Sequence, residues 1–307
     1  MGFFGTLPSV FDLGLIWGIA AIGVFITFRI LDFADLTVDG SFATGGCVFA
    51  VLSLAGVPLP ISLIVAFIAG MLAGLITALL HCYLGIPGIL AGILTQLMLY
   101  SINLKILGQA YRSISNRGSL IGMSANSASA IPPVITTLLI VFGIAAVVIA
   151  FLYWFFGTRF GSSIRATGSN ESMAKANGIN INSRKIVALM LSNGLVAFAG
   201  AILTQFQGSV DVNMGRGAIV IALAAIIIGT TIGAKFVKNF AVSLTFVLVG
   251  AIIYFFVYQL VVFYTNEPEL LKMISAIVVA IFLAFPYIKN TYIKNFKAKR
   301  QRAKELQ

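Results

Sequence analysis

Charge is scarce in this sequence. Only 9% of its 307 residues are Asp, Glu, Lys or Arg, against ~25% in an ordinary soluble domain. With 60% hydrophobic residues the chain has too little polar surface to face water on all sides, and it reads as a protein of the bilayer. At ~20 residues per crossing, this length leaves no room for a large catalytic unit outside the membrane. The single histidine, His81, excludes an H-E-x-x-H metal site, and no G-x-x-x-x-G-K-[ST] loop is present to cradle nucleotide phosphates. The two cysteines, Cys47 and Cys82, both lie in apolar runs, which supports neither a disulfide framework nor a metal cluster. No basic region precedes the first apolar stretch and no small-residue cleavage pattern follows it, so the stretch is expected to be a retained span.

Apolar runs bounded by Pro, Gly and charge place about nine spans, near residues 9–31, 38–56, 60–83, 87–108, 133–157, 185–207, 216–234, 238–263 and 268–288. The expected fold is therefore an all-α polytopic membrane protein. A single transmembrane domain covers residues 1–288, and a basic tail follows at 289–307. The formal net charge is +11, from 20 Lys and Arg against 9 Asp and Glu. Its distribution points to orientation and membrane lipids rather than to nucleic acid. One cluster is Arg159, Arg165, Lys175, Arg184 and Lys185, and the other is the tail from Lys289 to Lys304. Four spans separate them, so both fall on one side, which the positive-inside rule makes cytoplasmic. The tail interleaves aromatics with its cations, which suits the interface of an anionic leaflet. Lys235 and Lys238 fall in a cytoplasmic turn, Glu267 and Glu269 in an outer loop, and Arg112, Arg117 and Arg216 lie outside against the usual bias.

Between the fifth and sixth spans runs a polar segment, about 165–181. Ser169 or Asn170 is placed to cap a helix, Glu171 occupies its first turn where an anion is favoured, Lys175 lies four residues on, and Gly178 is placed to end it. About two turns of helix cannot persist alone in water, so the segment needs a partner surface.

At the second span, Asp35 and Asp39 are one helical turn apart and share a face if both are helical. Carboxylates in a span must be paired, wetted or functional. They read as caps at the start of the span or as part of a gate, and Gly40, Gly45 and Gly46 let neighbouring helices approach. Thr44 belongs to the same stretch. In the fourth span Gln96, Tyr100 and Asn103 form one polar stripe, and in the sixth Asn193, Ala197, Gly200, Thr204 and Gln207 form another. Each stripe faces either a neighbouring helix or a wet path.

The segment Arg165-Ala-Thr-Gly-Ser-Asn-Glu-Ser-Met-Ala-Lys-Ala-Asn-Gly-Ile resembles the R-A-x-G-x-N-x-x-A-A-x-x-x-G-I loop of permease subunits of bacterial ABC importers of the branched-chain amino acid, ribose and nucleoside type. Arg165, Ala166, Gly168, Asn170, Ala174, Gly178 and Ile179 match, and Met173 departs from the usual alanine. The stretch Leu31-Asp-Phe-Ala-Asp-Leu-Thr-Val-Asp-Gly-Ser-Phe is similar to the L-x-x-A-D-L-T-V-D-G-S-F signature of a subgroup of these permeases associated with aromatic amino acid uptake.

The resemblance implies a type II-like importer permease of the bacterial cytoplasmic membrane, working by alternating access and having no ATPase site of its own. Arg165, Gly168, Asn170, Glu171, Ala174, Lys175 and Gly178 would form the coupling helix seated on a separate ATPase subunit, and ATP and Mg would bind there, not on this chain. A soluble or lipid-anchored binding protein would dock through Arg112, Arg117 and Arg216 and supply the affinity. Asp35, Asp39, Thr44, Gln96, Tyr100, Asn103, Asn193, Thr204 and Gln207 would line the path or its gate for a small polar solute. A permease homodimer is the default assembly. The alternative is an ion-coupled secondary transporter that uses Asp35 and Asp39 to bind a proton or sodium and functions alone.

Overall fold

The structure, a computed structural model, describes residues 3–114, 133–233 and 239–265, with isolated helical positions between 273 and 284. Its long helices are α1 (Phe3–Phe25), α2 (Val38–Leu54), α3 (Leu59–Cys82), α4 (Gly88–Leu107), α5 (Pro133–Gly157), α8 (Ile181–Gln207), α9 (Ala218–Gly233) and α10 (Phe240–Thr265). Two shorter helices, α6 (Arg159–Ser169) and α7 (Glu171–Ala176), link α5 to α8. A π-helical turn, Ile26–Ile30, extends α1. The expectation of an all-α fold needs one amendment: β1 (Tyr111–Ser113) and β2 (Ser209–Asp211) pair antiparallel, Arg112 opposite Val210. Six helices among the described residues are long and apolar enough to cross a membrane, and α2 and α9 are shorter apolar helices. The expected span at 268–288, the tail at 289–307, Lys235, Lys238, Glu267, Glu269 and Arg117 lie outside the described residues, a few isolated positions of that span excepted.

Helix α8 is the axis of the bundle. Buried residues make up 78% of its apolar span and 89% of that of α1, against 28% for both α4 and α5, so α1 and α8 form the centre and α4 and α5 the rim. Small residues allow this packing. Gly74 and Gly70 of α3 lie on the backbone of Leu189 and Asn193, Gly45 of α2 lies on Ala197, and Gly200 lies on the Phe42 carbonyl. An added methyl at any of these would meet backbone, so the close approach depends on its absence. Ser192 Oγ donates to the Gly23 carbonyl at 2.7 Å and ties α8 to α1.

These contacts also make α8 a ruler for depth. Ile30 lies against Gly168, at the α6 end of the bundle. The chain then turns back: Phe33 packs on Gly88, and Leu36 and Thr37 pack on Gly92. Helix α2 therefore begins beside the middle of α8 and runs away from α6, until Gly46 meets Thr204 near the far end. After β2 the chain folds inward again, and Gly215 lies on the Asp39 carbonyl. Helix α9 starts at that depth and leaves in the opposite direction, since Gly229 packs on Phe246 and Val247 of α10, whose first residue, Phe240, touches Phe25 and Phe156. At 17 and 16 residues, α2 and α9 are each about 25 Å long, short of the ~30 Å hydrocarbon layer. The expected spans at 38–56 and 216–234 correspond to two short apolar helices, α2 and α9, that start back to back inside the bundle.

Candidate functional site

Two places concentrate the residues singled out by sequence. The first is the surface segment α6–α7. Thr158 starts α6, its hydroxyl accepting from Gly161 N at 3.2 Å. The helix ends at Asn170, whose backbone is extended and whose side chain accepts from Met173 N at 2.9 Å to start α7. Gly178, at φ +74, ends α7, with Gly178 N donating to the Lys175 carbonyl and Ile179 N to the Ala174 carbonyl, both at 3.0 Å. That left-handed conformation suits glycine. Of α7 only Ala174 is buried. Ser172, Lys175 and Ala176 are exposed, and so is Met173, at 54%. Glu171 pairs with Lys185 on α8, not with Lys175 as the i, i+4 spacing would allow. Arg165 reaches back to the Phe156 carbonyl at 3.0 Å, and Gly168 sits on Ile30. The result is a short helix presented outward by a firmly seated base.

The second place is a buried polar joint beside the middle of α8. Asp35 is 2% exposed. Its Oδ1 accepts from Thr37 N at 2.9 Å and its Oδ2 from Asn193 Nδ2 at 2.6 Å. Asn193 Oδ1 accepts from Ser41 Oγ at 2.6 Å, and its Nδ2 also donates to the Leu189 carbonyl at 3.0 Å. The Thr37 hydroxyl meets that of Thr77 at 2.6 Å, and Thr77 donates to Thr95 Oγ1 at 2.9 Å. One hydrogen-bonded chain thus links the approach to α2 with α3, α4 and α8. Such a network offsets the cost of burial only when its members are satisfied, and these are.

Asp39 faces elsewhere. Asp35 precedes the first turn of α2, so the two carboxylates do not share a helical face. Asp39 Oδ2 accepts from Gly217 N at 2.9 Å and Oδ1 from Ile219 N at 3.0 Å. It caps α9 across a sequence separation of 178 residues, a carboxylate at the positive end of a helix. All four oxygens of Asp35 and Asp39 accept a hydrogen bond from within the chain.

The polar stripes divide. On α8, Asn193 and Thr204 are fully buried against α2, and Gln207 is exposed at the helix end. Thr44 is buried, its hydroxyl donating to the Gly40 carbonyl at 2.9 Å. On α4, Gln96 is half-buried and Tyr100 exposed, whereas Asn103 is 1% exposed and neither polar atom of its amide has a hydrogen-bond partner among the described residues. Arg112 lies in β1, at the far end of α8 from α7, with Nη1 3.4 Å from the Leu107 carbonyl. Arg216 is exposed in the inward-folding loop, between two glycines that touch Asp39. Sequence reasoning met Thr37 and Ser41 only within the signature stretch and Lys185 only within the basic cluster, and missed Thr77 and Thr95, single hydroxyls in apolar helices that only the convergence of four segments marks out. His81 is packed, Nδ1 2.9 Å from the Ile86 carbonyl and the ring edge-on to Phe33.

The tyrosine transport system permease protein of Clostridioides difficile (strain R20291) is 38% identical over 295 residues, covering 95% of this chain and 94% of its own. A protein of Rickettsia prowazekii (strain Madrid E), named only as uncharacterized protein RP368, is 32% identical over 267 residues, 86% of this chain and 91% of that one. The autoinducer 2 import system permease protein LsrC of Escherichia coli (strain K12 / DH10B) is 26% identical over 227 residues, 73% of this chain and 63% of that one. The family described as branched-chain amino acid transport system / permease component matches residues 8–284. A multi-pass helical chain whose match to that family runs through nearly its whole length belongs to it: this is an ABC-type permease of the branched-chain amino acid transport system family.

Proposed function

We propose that this chain is the membrane subunit of an ATP-driven importer that carries an amino acid, with tyrosine and other aromatic amino acids as the leading class, into a bacterial cell by alternating access. The observation that carries the reading is α7, a helix capped at both ends and held to the rest of the bundle by buried Ala174 and by the Glu171–Lys185 ion pair, with its remaining side chains exposed. Among the described residues, no other helix covers the exposed side chains Ser172, Met173, Lys175 and Ala176. A separate ATPase subunit, holding ATP and Mg, would seat on it, which makes the α7 end and the basic tail cytoplasmic. The substrate class rests on the printed function of the Clostridioides difficile relative.

The mechanism follows the contacts. Displacement of α7 would reach α8 through Glu171 and Lys185 and the base formed by α6. Asn193 then holds Asp35 and Ser41 beside α2, and Asp39 holds the start of α9. A push at the surface would thus tilt two short helices that meet inside the bundle. Arg112, and Arg117 with it, would receive a binding protein at the opposite end, where an arginine pairs well with an acidic residue. The permease would act as a type II-like homodimer. The family match favours the ATP-driven reading over the ion-coupled alternative, and every carboxylate oxygen of Asp35 and Asp39 already accepts an internal hydrogen bond.

Replacing residues 171–176 by a glycine-serine spacer of the same length tests the reading. Uptake of labelled amino acids should disappear while the chain stays in the membrane. Full uptake after the replacement would end the proposal.

A further inference from the structure

Building on the importer reading, we infer that Arg216 lines the solute's route and binds the carboxylate of the passing solute. Its depth is the first observation. Gly215 lies against the Asp39 carbonyl and Gly217 N donates to Asp39 Oδ2 at 2.9 Å, so Arg216 is pinned on both sides at the level where α2 and α9 begin. That level lies between Asn193 and Gly200 of α8, well below the end of the helix at Gln207.

The second observation is that Arg216 is exposed there and has no carboxylate partner among the described residues. The neighbouring acids are engaged: Asp39 caps α9, and Asp211 accepts from Asn213 N at 2.6 Å. A guanidinium at this depth, open and unpaired, is costly against lipid and so must face water or a polar visitor. The chemistry an open guanidinium fits is a small molecule with a carboxylate. Arginine holds a carboxylate through two parallel hydrogen bonds, which a lysine cannot copy. Because the binding protein supplies the affinity, the contact serves passage rather than capture.

The experiment uses the whole importer in proteoliposomes with a panel of labelled amino acids and uncharged sugars, and compares the unaltered chain with Arg216→Gln and Arg216→Lys. Arg216→Gln should lower the maximal rate of amino acid uptake about tenfold and leave the half-saturating concentration in place. Arg216→Lys should recover part of the rate. ATP hydrolysis stimulated by the binding protein should persist in both. A parallel Arg216→Cys chain that also carries Cys82→Ser should react with a water-soluble thiol reagent. Four outcomes would overturn the inference: unchanged amino acid uptake, uptake of sugars alone, loss of stimulated hydrolysis in step with uptake (which would make Arg216 a docking residue), or an unreactive Cys at 216. The spacer variant at 171–176 separates the two claims. If that variant transports normally, the importer reading itself fails. If it is dead while Arg216→Gln is fully active, only the role of Arg216 fails.

Discussion

Asn193 and Asp35 meet at 2.6 Å, amide nitrogen to carboxylate oxygen, beside the middle of α8 where neither is open to solvent. The same amide accepts from Ser41, so one side chain holds both the approach to α2 and its first turns.

Removing that amide leaves a buried carboxylate with one donor fewer. Asn193→Leu should destabilise the chain by about 3 kcal/mol, the scale of a lost bond to a buried charge, read as a lower melting temperature in detergent. Adding Asp35→Asn should cost much less than the sum of the two single changes, because it removes the charge that Asn193 serves. Strict additivity would show that the pair does not interact.

The capping of α9 predicts a local effect. Asp39→Ala should cost about 1–2 kcal/mol and raise hydrogen exchange at Gly217 and Ile219 before exchange elsewhere in α9. Equal exchange in the two proteins would show that the carboxylate does not hold the helix.

Glycines at helix contacts should be intolerant and those facing open space tolerant. Gly45→Val puts side-chain atoms into the backbone of Ala197, whereas an added methyl at Gly143 on α5 meets nothing within 4 Å. The first should cost at least ~3 kcal/mol, the upper part of the overpacking range, and Gly143→Ala should be neutral or stabilising. Comparable melting temperatures for the two variants would contradict the packing described.

At Gly178 the cost is conformational, since a side chain there has open space but φ is +74. Gly178→Ala should loosen α7 by about 1 kcal/mol and Gly178→Asn by less, because asparagine tolerates the left-handed region. Exchange of the α7 amides is the measurement. If Ala and Asn behave alike, the strain assigned to this position is absent.

The two thiols give a simple check of burial. Cys47 is fully buried between α2 and its neighbours, and Cys82 is partly open at the end of α3. A maleimide applied to the folded protein should modify Cys82 first, as mass spectrometry would show.

The long spans and the caps of α7 could be read directly from the sequence, because they depend on composition and on neighbours three or four residues away. Asn170 and Gly178 are of that kind. The joint was only half legible. Asp35 and Asp39 stood out as carboxylates in an apolar setting, but periodicity put them on one face, when a turn before α2 sends them to different partners. Thr77 and Thr95 carried no local mark at all, because their importance comes from meeting Thr37 across two helix contacts. Asn103 was grouped with Gln96 and Tyr100 by spacing, yet only Asn103 is fully buried.

The strand pair has a consequence for biogenesis. Tyr111 to Ser113 pair as a strand with Ser209 to Asp211, and Asp39 waits still longer for Gly217 and Ile219. During synthesis the first four helices enter the bilayer with their seams open, and α8 is the wedge whose arrival closes them. A ribosome stalled between α4 and α8 would leave a membrane-inserted fragment with an unpaired carboxylate and bare glycine grooves, a ready target for quality-control proteases.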